Sequence, residues 1–544
     1  MGILSREGIA ALLASIWESP LLARALQSRE DLSALLASAL DNPLLTAGLL
    51  SLAPAALFAV QTFRTWRRLR HIGGPPLAGF TNLWLVRAIM GGNTHWDLAH
   101  VSAKYGALSR PLARIGPNEL ITSDPGMLRQ MLGVRSRYQR SDWYIGMRFD
   151  PNSDNILSQR DSGLHHALRS KMSAGYTGKD IDEAEQKIDR NVTALLTLLH
   201  TKYDSTDSAS APKPFDFGRI VQYFTLDVIS DLAYSEPFGC LREDRDMYGY
   251  IDAVEKNMPF IMIVTTMPKL GWVLRTGLLS RVMPSEKDEL GFGRVLGICK
   301  QKAAERFGPD RKVQRDMLGS FVAHGLTQPE AESESLLQIV AGSETTATSI
   351  RATVLYAITN PRIYNKLVAE ITTAAAPGND LPTPVPDSVA KKLPYLQAVI
   401  KEGLRIWPPI TGLMSKIVPP GGDSFRGVHL PEGTVVGYSA FGLSRNKEVW
   451  GEDADIFRPE RWLEGTAEEI RAREAAVDLV FGHGRWSCLG KNVAYVELGK
   501  VLFEMLRHFD ICVADPAKVW DSTCVGIFMQ HNFWLIATRR EQMV

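Results

Sequence analysis

The chain has 544 residues, with 61 Lys plus Arg against 60 Asp plus Glu, 45% hydrophobic and 22% charged. That is an ordinary globular composition, and a net charge of +1 gives no field to hold a nucleic-acid backbone, so nucleic acid is excluded as a partner. Five cysteines, odd in number and dispersed, exclude a disulfide framework and suit a reducing compartment.

Residues 1–41 carry three basic and five acidic side chains around two stretches of helical apolar spacing, GIAALLASIWESPLLARAL and DLSALLASAL. They read as an amphipathic segment able to lie on a membrane surface. Residues 42–63, NPLLTAGLLSLAPAALFAVQTF, contain no charged side chain, and a bilayer crossing needs about 20 such residues. Arg64, Arg67, Arg68 and Arg70 follow at once, and positive-inside logic places everything after them in the cytoplasm. The run starts too late for a cleaved signal peptide, so a retained transmembrane anchor is expected. A buried core helix is the alternative, and Pro54 argues against a straight span. Residues 64–80 end in HIGGPPLAGF, a basic and Pro-rich hinge. From 81 to 544 neither linker nor repeat interrupts a mostly helical apolar periodicity, seen in IDRNVTALLTLLH, FGRIVQYFTLDVISDLAY and YNKLVAEI. Short strand-like pieces such as GTVVGYSAF and FWLIATR are added near the end. The expected fold class is mainly α with minor β, one large domain behind the anchor.

In HHALRSKM, His165 and Arg169 stand one helical turn apart, which suits a surface helix as well as a binding pair; His166 offers an alternative register. The sequon Asn191-Val192-Thr193 is silent in a cytoplasmic domain. Thr327 and Glu330 form a capping-box pattern, Pro329 suits a first turn and Pro361 marks the far end, so one helix of roughly 30 residues, about 45 Å, is expected. In its middle Ala341-Gly342-Ser343-Glu344-Thr345-Thr346 replaces good helix formers. A kink with hydroxyls bonded back to carbonyls accounts for an isolated Thr pair. An acid and an alcohol beside a glycine gap can also leave room for a small ligand and pass it protons. Glu402 and Arg405, three apart in YLQAVIKEGLRIWPP, share a helix face; such pairs are mostly solvated, but this one has apolar neighbours and FRPERW downstream.

In FGHGRWSCLGKNVAYVELGKVLFEMLRHF, Cys488 lies in a Gly-bounded loop before a helix whose stripe is Ala494, Leu498, Val501, Met505 and Phe509. Free N–H groups at a helix start favour a thiolate and can hydrogen-bond its sulfur. Zinc needs further Cys or His at short spacing, and only His483 is near. Gly482 and Gly484 begin like a dinucleotide loop, but Ser487 breaks that pattern. A single thiolate suits haem iron.

FGHGRWSCLG resembles the haem-binding signature of the cytochrome P-450 family, Phe-x-x-Gly-x-Arg-x-Cys-x-Gly, at Phe481, Gly484, Arg485, Cys488 and Gly490. The resemblance implies that Cys488 is the axial ligand of haem b iron, that Arg485 pairs a propionate and that Phe481 shields the sulfur, with Gly482, Gly484 and Gly490 shaping the loop. AGSETT is similar to the family's oxygen-binding helix motif, with Ala341 and Gly342 bordering the cofactor and Glu344 and Thr345 delivering protons to dioxygen. Glu402, Arg405 and Arg461 match a buried Glu–Arg–Arg network behind the haem, Trp462 standing where Phe is commoner. His165 and Arg169 match a propionate-binding pair.

IVPPGGDSFRGVHLPEGTVV and GIFMQHNFW also resemble the pisatin demethylase-like branch of fungal microsomal members. The resemblance thus implies a monooxygenase of the endoplasmic reticulum membrane, single-pass with a cytoplasmic catalytic domain, that uses O2 to oxidise a hydrophobic small molecule in secondary metabolite biosynthesis. The chain has no flavin or nicotinamide motif, so NADPH electrons come through a separate reductase, with cytochrome b5 as a second possible donor. Membrane lipid is a further expected partner. MPFIMIVTTMPKLGWVLRTGLL resembles the variable entrance region, and Ile339, Thr411, Leu413, Ile527 and Phe528 fall where family substrate contacts lie. Two alternatives are a reductase-independent haem-thiolate isomerase or dehydratase, whose relatives often lose the acid–alcohol pair, and a detoxifying demethylase of a xenobiotic.

Overall fold

The computed structural model describes residues 43–106, 111–150, 153–207, 211–270, 284–376 and 378–540, with side chains from residue 56 onward. The expected segment 1–41 lies outside the described residues, as does most of the second half of the expected entrance region. The chain divides into two units, residues 1–68 and residues 69–544.

In the first unit, helix α1 (Pro43–Leu69) covers the uncharged run and continues through the arginines, ending before the Gly/Pro stretch of the expected hinge. Arg is among the better helix formers, so the basic cluster extends the helix. Among the described residues no helix is long and apolar enough to cross a membrane. The second unit takes in much of the expected hinge, because Leu69 and Ile72 are buried in a small core with Leu112, Leu120 and Val436.

The second unit is mainly helical with small sheets. Six helices position the site: α2 (Ser162–Tyr176), α3 (Phe217–Tyr234), α4 (Tyr250–Thr266), α5 (Gln328–Ile358), α6 (Pro394–Ile406) and α7 (Lys491–His508). The long helix expected from its caps is α5, 31 residues, and the Glu330 carboxylate accepts the Thr327 N–H at 2.8 Å. It is buried along most of its length and packs on α3, α6 and α7, the behaviour of a central core helix. Asp161 caps α2, accepting the N–H groups of Gly163 and Leu164 at 2.8 Å each, which fixes the helix that carries His165 and Arg169.

A five-stranded sheet stands at one side, order β1-β2-β5-β4-β3, with β1 Ala113–Arg114, β2 Glu119–Thr122, β3 Gln139–Arg140, β4 Lys416–Ile417 and β5 Val435–Tyr438. β2 runs parallel to β5, and β4 antiparallel to both β5 and β3, pairing Lys416 with Arg140. Two strand-like pieces read from the sequence are present, as β5 and as Trp534–Arg539, which pairs with Phe509–Val513.

Candidate active site

Cys488 is held by a loop that only glycine permits at two points. Gly482 and Gly484 have φ +75° and +60°, backbone that L side chains rarely adopt, and a Cβ at Gly484 would meet Leu132 O at 2.7 Å. The Cys488 N–H donates to Phe481 O at 2.7 Å, closing the loop, and α7 begins three residues later. Cys488 is solvent-accessible although protein surrounds and desolvates it. Burial raises the thiol pKa, opposed by the Gly490 N–H, then Arg169, then the Lys491 N–H. The lowering expected at a helix start is therefore present but outweighed in the bare protein. A bound cation at the sulfur would reverse that balance. The Phe481 ring lies 5.6 Å from Tyr495.

Trp486, two residues before the cysteine, gathers cations. Lys416 Nζ sits 3.3 Å from its ring centroid and the Arg140 guanidinium 4.4 Å, while the His165 ring is 4.4 Å away. Arg169 donates to Ser487 O at 2.6 Å, and Arg485 donates to Val134 O. None of Arg140, Arg169, Lys416 and Arg485 has a carboxylate within ion-pair distance among the described residues. Lys416 is fully buried, and its Nζ, with Arg140 Nε and His165 Nδ1, has no hydrogen-bond partner. Burial, then Arg140 and Arg485, pushes Lys416 down to about 5; burial, then the four cations, pushes His165 down to about 3. Glu334, the acid that acts on Arg140, is itself pushed up to about 8 by burial and is mostly neutral at pH 7. Buried polar groups are normally satisfied, so this cluster has the donor set for a dianion. The two carboxylates of haem fit it, beside a thiol that fits iron. Lys416 and Arg140 escape sequence reading because they lie on short strands far from any motif.

On α5, Ala341 is exposed and Thr345 half-exposed in an otherwise buried stretch, which places both on an open wall. Thr345 Oγ1 donates to Ala341 O at 2.8 Å. Gly342 does not supply the expected room: a Cβ there would meet Ile229 of α3 at 2.8 Å, so this glycine allows close helix packing and the gap lies at Ala341. Glu344 points to the back of α5. Its carboxylate pairs with Arg351 at 2.7 Å and accepts from Gln222, and burial raises its pKa against the pull of Arg351. The structure thus brings Ala341 and Thr345, but not Glu344, to the open wall.

Glu402, Arg405 and Arg461 form a closed knot, each at most 1% exposed. Arg405 is bidentate on Glu402 at 2.7 and 2.9 Å, and Arg461 Nε adds 3.0 Å. The Arg458 N–H and Trp462 Nε1 donate to the same carboxylate at 2.8 and 3.0 Å. The remaining guanidinium groups reach the carbonyls of Ser444, Ala454, Ile456 and Trp450.

Of the five expected substrate contacts, Ile527 is half-buried and Leu413 is 6% exposed. Ile339, Thr411 and Phe528 are fully buried; the Thr411 hydroxyl meets Cys524 Sγ at 3.0 Å, and Phe528 stacks among His95 and Trp407. These three belong to the core, where aromatic and backbone packing claims them. Next to Leu413, Gly412 faces Met262 of α4, part of the expected entrance region, and the Trp143 indole, which the sequence reading misses, at 3.1 and 3.5 Å from where its Cβ would be.

A helical domain with an accessible thiol in a glycine-bounded loop, basic side chains without an ion-pair partner among the described residues and an alcohol on the central helix fits the class of haem-thiolate proteins. The comparisons agree. The cytochrome P450 family description matches residues 73–532. The chain is 43% identical over 497 residues to cytochrome P450 monooxygenase ABA1 of Pyricularia oryzae, covering 91% of this chain and 97% of that one. It is 38% identical to cytochrome P450 monooxygenase aba1 of Botryotinia fuckeliana, covering 87% and 92%. A crystal structure of the cytochrome P450DA heme domain shares the fold at a TM-score of 0.67 and 17% identity, covering 86% of this chain and 98% of that one. The chain belongs to the cytochrome P450 family and is an oxidoreductase, a cytochrome P450 monooxygenase.

Proposed function

We propose that this protein is a membrane-bound haem-thiolate monooxygenase that oxidises a hydrophobic small molecule of fungal secondary metabolism, with NADPH electrons supplied by a separate reductase or, for the second electron, cytochrome b5. The observation that carries the reading is the group of basic side chains around Trp486 that have no ion-pair partner among the described residues, Lys416 and Arg140 of them buried with unpartnered nitrogens, beside an accessible Cys488. Cys488 is the iron ligand. Arg485, His165 and Arg169 hold the haem carboxylates together with Lys416 and Arg140, and Phe481 stands beside the sulfur.

Haem supplies the redox chemistry, dioxygen activation assisted by the donating thiolate. The chain supplies the rest. The Gly490 and Lys491 N–H groups steady the Cys488 sulfur. The Thr345 hydroxyl, parked on Ala341 O, can turn to hold a proton or a water at Oγ1 on the oxygen side. The apolar cluster of Met262, Trp143 and Leu413, with Ile527 packed against it, supports an apolar substrate. The uncharged run 42–63 and the arginines after it support an anchor in the endoplasmic reticulum with the catalytic domain in the cytoplasm.

The test is isotope labelling: full-length protein in liposomes with a fungal reductase, NADPH and 18O2, offered a hydrophobic metabolite extract. Products carrying one 18O atom, absent without NADPH and absent with Cys488→Ser, are expected. Products formed without NADPH or the reductase would instead establish an isomerase or dehydratase.

A further inference from the structure

A cavity of about 390 Å³ opens on the surface beside the end of the short helix Pro125–Leu132, and three arginines, Arg129, Arg135 and Arg137, line it. All three are exposed, and among the described residues no carboxylate or carbonyl is bonded to their guanidinium groups. The one carboxylate in the wall, Asp423, is already engaged, accepting the Tyr138 hydroxyl at 2.8 Å and the Gln130 amide at 2.7 Å. Burial opposes its ionisation, but those two bonds and the charge of Arg137 hold it below the ordinary carboxylate value. Three guanidinium groups against one carboxylate leave the cavity positive. Its backbone is fixed: Tyr138 is buried, and Arg485 pins the loop from behind by donating to Val134 O.

The cavity belongs to the small core in which the second unit begins. Leu69 and Ile72 are buried there with Met127, Met131, Leu132 and Tyr138. His71 Nε2 lies 3.0 Å from His429 O, and His429 pairs with Ser424 in the hairpin of Asp423–Phe425 and Val428–Leu430. Both walls of the cavity are thus tied to residues 69–72, which in sequence follow the uncharged run and lie at the end of its arginine cluster. The rim adds an apolar side chain, Val134, 66% exposed.

We propose that Arg129, Arg135 and Arg137 form a binding site for the phosphate headgroup of an anionic membrane lipid. The lipid source rests on the reading of residues 42–63 as a membrane anchor; the phosphate chemistry rests on the cavity alone. A guanidinium fork matches two phosphate oxygens at once, and basic side chains beside an anchor are drawn to an anionic leaflet. A zwitterionic headgroup is disfavoured, because its choline cation meets the same arginines. An acidic protein is the rival occupant, and it needs a face of roughly 800 Å² rather than a cavity.

The experiment places the full-length holoprotein in nanodiscs of phosphatidylcholine, with or without phosphatidic acid, and reads arginine modification by phenylglyoxal through peptide mass spectrometry. Phosphatidic acid should slow labelling of Arg129, Arg135 and Arg137 at least about fivefold. Arg311 and Arg471, exposed and outside the cavity, should change less than about twofold. Native mass spectrometry should find one phosphatidic acid retained per chain, lost in the double variant Arg135→Gln/Arg137→Gln and kept in Arg311→Gln/Arg471→Gln. Equal protection by glycerol 3-phosphate or inorganic phosphate in phosphatidylcholine discs would overturn the lipid assignment in favour of a soluble phosphate ester. Protection seen only on adding the reductase would overturn it in favour of a protein partner, and no protection by any of them would remove the site. A chain that fails to enter nanodiscs would contradict the anchor reading instead. Water-soluble dihexanoyl phosphatidic acid then decides the site by itself: stronger protection than by glycerol 3-phosphate upholds it, and equal protection overturns it.

Discussion

Two groups of basic side chains lie within this domain and have opposite surroundings. Around Glu402, two guanidinium groups, a backbone N–H and an indole N–H share one carboxylate, and the leftover donors end on named carbonyls and on Asp453. Around Trp486, Lys416, Arg140, Arg169 and Arg485 have an aromatic face, one another and a few carbonyls, with no carboxylate at ion-pair distance among the described residues. A buried charge is tolerated when paired and costs stability when it is not. The first group is complete and can only be scaffold; the second is complete only with a guest. The comparison separates structural from ligand-holding residues where exposure alone cannot, since Arg405 and Lys416 are both fully buried.

The comparison breaks most visibly at Glu402. Glu402→Ala leaves Arg405 buried without a counter-charge and Arg461 with only Asp453, at 3.3 Å, an expected cost of about 3–5 kcal/mol and a large share of the roughly 5–15 kcal/mol that holds a domain together. Urea unfolding and the yield of soluble protein measure it, and a loss under about 1 kcal/mol would mean the knot is no more than a surface-type pair. The opposite sign is expected on the other side. Lys416→Met removes an unpartnered buried amine, so the haem-free protein gains stability in a thermal melt while haem dissociates faster in a transfer assay to apomyoglobin. A haem-free variant that melts lower would show that Lys416 is already satisfied.

The pH dependence sharpens the same point. Lys416 is depressed from 10.5 to about 5 in the folded chain, so between those values the unfolded chain binds the extra proton. Its contribution therefore makes haem-free stability rise with pH across that window. Glu334, raised from 4.5 to about 8, acts the other way: its contribution is full below 4.5 and is lost as pH rises through 8. The slope of stability against pH in the Lys416→Met variant should thus be lower than in the parent, and in Glu334→Gln higher; equal slopes would contradict the folded-state assignments. The smallest effect is at Trp462. Trp462→Phe removes one hydrogen bond to the Glu402 carboxylate and should cost about 1.5–3 kcal/mol in unfolding experiments without loss of haem.

Much of this site is legible in the sequence because its geometry is local. The loop Phe481–Gly490 needs glycine at fixed steps, the caps of α5 announce themselves at Thr327 and Glu330, and Glu402 and Arg405 share one turn. What escapes reading is what the fold brings together from afar. Lys416 and Arg140 meet on paired strands 276 positions apart, and neither lies in a pattern. The direction of a side chain is equally hidden. Glu344 and Thr345 are neighbours in the motif, and only the packing of α3 against α5 shows that one faces Arg351 and the other the open wall. Thr411 and Phe528 read as chamber residues from their position, but local bonding to Cys524 and aromatic stacking draw them into the core.

The most direct measurement is the carbon monoxide difference spectrum of the dithionite-reduced full-length protein, recorded beside Cys488→Ser and Arg405→Lys. The account expects a long-wavelength Soret band in the parent that Cys488→Ser abolishes outright, and a band of normal position but lower yield in Arg405→Lys, because one residue binds the iron and the other only supports the fold. A long-wavelength band that survives in Cys488→Ser, or a well-folded parent with no haem signal, would contradict it.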